Sequence, residues 1–341
     1  MDGVAKRHKR VLTVFAFLFI LLLVFMVLDL AQAFIPLPFF DALQALFGYG
    51  SETNIIIVQK MNMPRVLMAI LVGAGLGIAG AVMQAVFRNP MASPFILGLS
   101  SGAALGAAIG MSITISFIPM MLLVPLLAFI SCMATLFLVY SISHVGGRVP
   151  TETLLLAGIA VGSFLSALVS LLTYLAGDQL QGIVYWTMGN MSNASWDNVL
   201  IVAPLMFAGC LLMLSCARDL NAMMLGDAHA LDLGVEVKKV RLQLLIASAL
   251  VTAAAVAFVG VIGFIGLVVP HILRIAMGPD NRALLPASII GGAAFLLMCD
   301  YISRVIAPSI GVLPVGIITA LIGAPYFIYL LRRRRSEVGW D

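Results

Sequence analysis

The chain has 341 residues, of which 62% are hydrophobic and only 10% charged, with a formal net charge of +4 and a mean hydropathy of +1.13. Soluble domains carry about 25% charged residues, so this composition excludes a soluble enzyme and a nucleic-acid-binding domain. One membrane span needs roughly 20 apolar residues. The apolar runs therefore predict an all-α polytopic membrane protein with about ten transmembrane helices. Residues 1–341 are expected to form a single membrane domain.

The first predicted span, Val11–Leu30, follows bases at positions 6, 7, 9 and 10 and is too long for the core of a cleaved signal peptide. The other spans are predicted at about 65–87, 93–111, 119–141 and 152–176, then before 218, from 241, at 259–274, up to 303 and up to 332. Residues 33–54, 177–197 and 304–313 are predicted to be external loops. Sixteen of the 19 Lys and Arg residues fall in internal segments, which predicts that both termini are cytoplasmic. The positive charge then faces the lipid membrane rather than a nucleic acid.

The stretch from Val259 to Arg274 combines small residues, a helix breaker and a basic end, in Gly260, Gly263, Gly266, Pro270, His271 and Arg274. Glycines spaced three apart would form a side-chain-free stripe on a helix, and such stripes let membrane helices approach closely. We predict a structural role for these residues, in a span that returns to an aqueous face. A tightly packed helix end without further function is the alternative.

Several kinds of chemistry are absent from the sequence. The chain contains no Gly-Lys dipeptide, which excludes a phosphate-binding loop of the G-x-x-x-x-G-K-[ST] type. Its four cysteines form no C-x-x-C pair, so no metal site is predicted. Asp29 and Asp300 lie near the predicted external ends of their spans, which argues against an ion-driven carrier. Energy for transport would have to come from a partner.

Residues Gly98 to Gly102 fit the G-x-S-x-G pattern of serine hydrolases, with Ser100 as nucleophile and His271 as the available base. No predicted strand precedes the pattern, and the glycines that follow it favour helix packing. An intramembrane serine hydrolase is therefore a remote alternative.

The internal segment 218–241 contains the run L-G-D-A-H-A-L-D-L-G-V at 225–235. Apolar residues at helical spacing between two glycines predict one or two short helices outside the membrane. A solvated loop would not require this apolar content, so we interpret the segment as a docking element for a partner on the inner face.

The chain resembles the FecCD-type permeases, the membrane subunits of type II ABC importers for iron-siderophores, haem and cobalamin. The motifs that carry the resemblance are M-P-R-V-L at 63–67, G-A-V-M-Q-A-V-F-R-N-P-M-A-S-P at 80–94, L-G-L-S-S-G-A at 97–103, L-L-A-G-I-A at 155–160, the run at 225–235, G-F-I-G-L-V-V-P-H-I-L-R at 263–274, D-Y-I-S-R at 300–304, L-P-V-G-I-I-T-A at 313–320 and G-A-P-Y-F at 323–327. Their order and spacing extend over nearly the whole chain.

The resemblance implies the fold of a type II ABC importer permease in a bacterial cytoplasmic membrane. It implies a transport subunit that is not itself an enzyme and binds no cofactor. The expected partners are a second permease subunit, two cytosolic ATPases that hold ATP and Mg²⁺, and an extracytoplasmic substrate-binding protein. Ferric siderophore is the expected cargo, with haem and cobalamin as alternatives.

The resemblance also assigns roles to residues by position. The cytoplasmic gate would comprise Asn89, Pro90, Met91, Ser143, His144, Gly146 and Gly147. The coupling helices that seat in the ATPase would include Met223, Leu225, Gly226, Asp227, Ala228, Ala230, Leu233 and Gly234. The binding protein would dock on Lys60, Arg65 and Arg304. Asn62 stands where many relatives carry a further arginine, and Lys60 is the nearby base.

Overall fold

The computed structural model describes residues 2–32, 37–113, 118–144, 149–306 and 311–338. The described residues form helices and connecting loops, and none of them lies in a strand. The helices are α1 (Asp2–Ala31), α2 (Phe39–Leu46), α3 (Glu52–Ile55), α4 (Met63–Val86), α5 (Leu99–Ser112), α6 (Met120–Ile142), α7 (Thr151–Leu175), α8 (Leu180–Thr187), α9 (Trp196–Ser215), α10 (Ala217–Met224), α11 (Asp227–Asp232), α12 (Val237–Val259), α13 (Ile265–Met277), α14 (Asn281–Val305) and α15 (Val315–Val338). A π-helix at Ile56–Asn62 joins α3 to α4, and a 3₁₀ turn at Pro94–Leu97 precedes α5.

Seven of the helical segments are long and apolar enough to cross a membrane. Three shorter apolar helices, Leu99–Ser112, Ile265–Met277 and Val315–Leu330, bring the total to ten. The prediction of an all-α polytopic membrane protein with about ten transmembrane helices is confirmed.

Two segments that were predicted as external loops contain helices. Helix α2 lies within 33–54, and α8 lies within 177–197. The turn after α8 packs inward: Asn190 donates its backbone N–H to the carbonyl oxygen of Val259 at 2.7 Å, and Met191 is 1% exposed. Apolar runs of this length are too short to span a membrane, so the sequence pattern alone did not distinguish them from loops.

The interior of the bundle is built around α4, α12 and α14. The apolar windows of these three spans are 78%, 72% and 67% buried, whereas that of α1 is 6% buried and faces outward. Close helix contacts occur at glycines: a Cβ atom on Gly73 would overlap the backbone of Gly292, and one on Gly80 would overlap the carbonyl oxygen of Gly266. Contacts of this kind stabilise membrane helix pairs because backbones approach without side chains between them.

Charged side chains gather at two opposite ends of the bundle. The basic end contains ion pairs made by Arg7, Arg88, Arg241 and Arg282, and the buried-charge end contains Asp29, Arg65, Asp300 and Arg304. Arg7 and Asp29 are both on α1, and 22 residues of helix separate them by about 33 Å. Helix α14 likewise has Arg282 near its start and Arg304 near its end, so both ends are defined by continuous helices.

Candidate functional site

The helical backbone is interrupted between the end of α12 and the start of α13. Residues 260–264 are not helical, and the backbone enters the left-handed region at Gly260 (φ 71°) and at Phe264 (φ 68°). A non-glycine residue in this region is uncommon and costs conformational energy. The surrounding structure therefore holds this break in place.

The prediction of a glycine stripe on one helix face is wrong, because the three glycines serve different purposes. A Cβ atom on Gly260 would overlap the carbonyl oxygen of Trp186, so this glycine admits the end of α8. Gly263 has open space around it, and Gly266 packs against Gly80 of α4. A spacing of three residues is compatible with a continuous helix and with a broken one. The positive φ angles of Gly260 and Phe264 show that the helix is broken here.

Pro270 in the middle of α13 leaves a carbonyl group without its helical partner, because proline has no N–H to donate to the residue four positions earlier. That residue is Gly266. The side chain of Gln84 donates from Nε2 to the carbonyl oxygens of Gly266 at 3.4 Å and Leu267 at 3.1 Å. Polar backbone in a membrane must be satisfied within the protein. Gln84 was missed in the sequence, although a buried amide within a glycine-rich span is an available signal.

Two cavities meet at the break, and their walls are largely apolar. One has a volume of about 220 Å³ and lies beside Leu76, Phe95 and Gly263. The other, about 610 Å³, is more open and lies beside Met188 and α15. Phe264 lines both cavities and packs against Gly323, where a Cβ atom would overlap its ring. Walls with so few polar groups suit the passage of a large molecule and offer no set of catalytic groups.

The predicted gate residues fall into two separate places. The turn after α4 is closed by Asn89, whose Oδ1 accepts from the backbone N–H of Met91 at 2.9 Å. Pro90 and Met91 line a small cavity of about 30 Å³ with His271 and residues of α15. This turn therefore contacts α13 immediately after the break.

The second group of predicted gate residues lies at the end of α6. Ser143 is fully buried and donates to the carbonyl oxygens of Val139 at 2.6 Å and Thr153 at 3.4 Å, which ties α6 to α7. The ring of His144 lies 6.5 Å from that of Tyr140, measured between centroids. Gly146 and Gly147 lie outside the described residues.

The segment predicted to couple to an ATPase forms two short helices, α10 and α11, as expected. Met223 and Ala230 are buried against the rest of the protein. The side chains that project outward are Leu225, Leu231 and Leu233, which are 71%, 61% and 67% exposed. Leu231 was not among the predicted residues. The remaining predicted positions, Gly226, Ala228 and Gly234, lie on the same segment, and both glycines have positive φ angles.

Asp227, the first residue of α11, ties this segment to two transmembrane helices. One carboxylate oxygen pairs with Arg88, which follows α4, and the other accepts from Arg241 of α12 at 2.8 Å. Arg88 directly precedes the turn at 89–91 and has a positive φ of 49°. Asp227 therefore links the segment that carries the exposed leucines to the turn at 89–91 and to α12.

The predicted docking bases differ in exposure. Lys60 is exposed, but the Arg65 and Arg304 side chains are only 11% and 6% exposed. Arg65 donates to both carboxylate oxygens of Asp300 at 2.9 and 2.7 Å, and Arg304 donates to one of them at 3.1 and 2.8 Å. Asp29 lies 3.6 Å from Arg304. The docking role of these arginines stays a prediction, since the chain itself already pairs them.

Asn62 and Arg304 connect the buried-charge end to the end of α1. Asn62 donates from Nδ2 to the carbonyl oxygen of Leu30 at 2.8 Å, and Arg304 donates to those of Asp29 and Gln32. Asn62, at the position where many relatives carry an arginine, thus has a structural partner in the backbone of α1.

The sequence of this chain matches a known family of transport proteins. The sequence profile of the FecCD transport family matches residues 21–333. The chain belongs to the FecCD transport family.

Named relatives of this FecCD chain transport different cargoes. The cobalamin import system permease protein BtuC of Halobacterium salinarum is 44% identical over 83% of this chain and 75% of its own length. The hemin transport system permease protein HmuU of Yersinia pestis is 41% identical over 82% and 84%. The Fe(3+) dicitrate transport system permease protein FecD of Escherichia coli is 38% identical over 90% and 94%. This FecCD chain is thus an ABC importer permease, a transport subunit rather than an enzyme.

The FecCD chain is also similar to a solved structure described as an inward-facing conformation of a metal-chelate type ABC transporter. The two share a TM-score of 0.82 and 30% identity, over 94% of this chain and 99% of the other. The hydrolase alternative is accordingly wrong. Ser100 lies in the first turn of α5, which a 3₁₀ turn precedes, so the strand that a nucleophile elbow requires is replaced by a helical turn.

Proposed function

We propose that this chain is the permease subunit of a binding-protein-dependent importer that moves a ferric siderophore inward across a bacterial cytoplasmic membrane. Two cytosolic ATPases, which bind ATP and Mg²⁺, supply the energy, and a second permease subunit completes the pathway. The chain itself binds no cofactor, and residues 1–341 act as one membrane domain with both termini in the cytoplasm. Membership of the FecCD family supports the proposal, and the gathering of bases at one end of the bundle supports the orientation.

The observation that carries this proposal is the position of Asp227. An apolar surface made of Leu225, Leu231 and Leu233 offers a contact for a partner protein. Asp227 lies within that segment and pairs with Arg88 and Arg241. A force applied to the leucines by an ATPase would therefore reach α4 and α12 through charge-assisted bonds, which are stronger than neutral hydrogen bonds.

The same connections define a route for the conformational change. Arg88 leads to the turn at 89–91, which contacts α13 beside His271. Arg241 lies on α12, whose other end is the break at Gly260. Closure of the paired ATPases would then bias the break and the turn together. This is a population shift between two packed arrangements, with no chemical change in the cargo.

The pathway walls support a bulky metal chelate as cargo but do not select one. Phe264, Leu76 and Met188 offer apolar contact surface rather than matched polar groups. Discrimination would then rest with the binding protein that delivers the cargo. Haem and cobalamin are the alternative cargoes, because the hemin permease of Yersinia pestis and the cobalamin permease of Halobacterium salinarum are 41% and 44% identical to this chain.

The test of this function is ATP-driven uptake in reconstituted vesicles. The chain would be copurified with its ATPase from gently solubilised membranes, and ATP hydrolysis and uptake would be measured with binding proteins loaded with ferric siderophore, haem or cobalamin. We expect the siderophore-loaded protein to stimulate both activities. Stimulation only by the haem-loaded or only by the cobalamin-loaded protein would identify that ligand as the cargo instead. Uptake that persists without an ATPase would refute the importer.

An Asp227→Ala variant should bind the ATPase but lose most of its uptake, because both links from α11 to the transmembrane helices disappear. Coupling energies between sites correspond to about 5- to 150-fold, so we expect uptake to fall by at least about fivefold per ATP hydrolysed. Asp232→Ala, at the exposed end of the same helix, is the matched control and should behave as wild type. Equal uptake by both variants would show that Asp227 does not transmit the movement.

A further inference from the structure

A large cavity lies at the basic end of the bundle, apart from the transport pathway. Its volume is about 810 Å³, and it forms where the first turns of α1 meet the end of α10 and the loop between α13 and α14. Neither the break at 260–264 nor the turn at 89–91 contributes to its lining. Leu225, part of the surface proposed to contact the ATPase, is among its lining residues, so the cavity adjoins that surface. The proposed pathway of the cargo does not account for the cavity.

The cavity carries a strong positive charge. Four bases line it, Lys6, Arg7, Arg10 and Arg282, against one carboxylate, Asp280, which leaves a net charge of +3. Asp280 pairs with Arg7 at 3.3 Å and with Arg282 at 3.1 Å. Hydrogen bonds from Arg282 and Asn221 lower the pKa of Asp280 to about 2, so the carboxylate stays ionised at neutral pH and neutralises only one base.

Two of the bases have no acidic partner among the described residues. Lys6 forms no ion pair there, and Arg10 donates only a long hydrogen bond of 3.4 Å, to the carbonyl oxygen of Ile275. Both side chains are exposed. Unpaired cationic groups around a concave surface concentrate the positive potential and favour an anion.

The walls and the position of the cavity indicate that the anion is amphiphilic. Met224, Ile275 and Met277 give it apolar surface. Helix α1, which begins at the cavity, continues into a span whose apolar window is only 6% buried within the chain. A free phosphate ion would gain nothing from apolar walls, whereas a phospholipid would place its headgroup among the bases and its chains along α1.

We propose that this cavity binds the headgroup of an anionic phospholipid from the adjoining leaflet. Bound lipid would also contact the coupling segment, because Met224 and Leu225 line the cavity. Asn221 of α10 holds the adjacent loop, since it donates to Asp280 at 2.7 Å and accepts from the backbone N–H of Asn281 at 2.8 Å. Lipid binding at this site would require neither cargo nor ATP.

The test measures lipid retained by the purified full chain. Protein extracted from bilayers of equal phosphatidylglycerol and phosphatidylcholine content would be analysed by native mass spectrometry. The variant Lys6→Gln/Arg10→Gln/Arg282→Gln removes three bases of the cavity. The control Arg218→Gln/Lys238→Gln/Lys239→Gln removes three exposed bases outside its lining. Lys6→Gln/Arg10→Gln, which breaks no ion pair of Asp280, is a milder second variant.

We expect wild type and control to retain phosphatidylglycerol preferentially, and the cavity variant to retain about tenfold less, since each base near an anionic surface contributes several-fold in affinity. The milder variant should show an intermediate loss. An equal loss in the control would assign retention to diffuse surface charge and overturn the site. If inorganic phosphate, at a concentration equal to that of phosphatidylglycerol, displaced the retained lipid, the ligand would be a free anion instead of a lipid. Displacement by the bound ATPase would assign the cavity to that interface, and either result overturns the proposal.

Discussion

An Asp300→Asn variant is expected to lose about 3–5 kcal/mol of unfolding free energy, the range for removing one partner from a buried ion pair. Asp300 is fully buried and is the shared partner of Arg65 and Arg304. Without its charge, two guanidinium groups would face only Asp29, which lies 3.6 Å from one of them. Thermal unfolding of the purified protein in detergent, monitored by circular dichroism, would measure the loss.

Two controls separate this effect from a general sensitivity of that end of the protein. Glu52→Gln removes an exposed carboxylate from the start of α3 and should leave the unfolding temperature nearly unchanged. Adding Arg65→Met to Asp300→Asn should recover part of the stability, because one of the two uncompensated charges is then gone. A double variant as unstable as the single one would show that charge balance is not the cause.

The second large effect is expected for Gly80→Ala. A methyl group on Gly80 would overlap the carbonyl oxygen and Cα of Gly266, which belong to the backbone and have no rotamer to change. Helix α4 and helix α13 must separate to admit it. Overpacking that forces the backbone to shift costs about 1–3 kcal/mol and occasionally more. We therefore expect a loss of about 3 kcal/mol and a reduced yield of folded protein.

Gly182→Ala is the matched control, since a Cβ atom there would meet its nearest neighbour, the sulfur of Met111, at an ordinary 3.7 Å. Alanine also favours the helix more than glycine does. This variant should unfold at the wild-type temperature or slightly above it. If Gly80→Ala behaved in the same way, the contact between α4 and α13 would be looser than the structure shows.

Local patterns predicted the elements that depend on local physics. The apolar runs predicted the seven helices of span length and the three shorter apolar helices beside them. The spacing of leucines and glycines around Asp227 predicted the short helix α11 outside them. The Asp300 carboxylate lies four residues before Arg304, which is the spacing of a helical ion pair, but this pair was not predicted. Its burial, and its second bond to Arg65, depend on α4 and α14 lying side by side.

The parts that escaped prediction arise from contacts between distant segments. The break at 260–264 is held by the end of α8 and by α4, which lie about 75 and 180 residues away in the sequence. Gln84 acquires its role only because Pro270 of another helix lacks a donor. Likewise, Arg88 and Arg241 both pair with Asp227 only because α11 folds back between them.

The close contact between Gly80 and Gly266 lies near the start of α13, so a rotation of α13 about this contact would move its other end. Gly266 is the second residue of a 13-residue helix, and the chain before it is not helical. The part of α13 from Gly266 to Met277 measures about 16 Å at 1.5 Å per residue. A rotation of about 10° at this fulcrum would move the far end of α13 by about 3 Å while the glycine contact stayed closed. A small tilt beside the cavities thus becomes a displacement of several ångströms at the basic end.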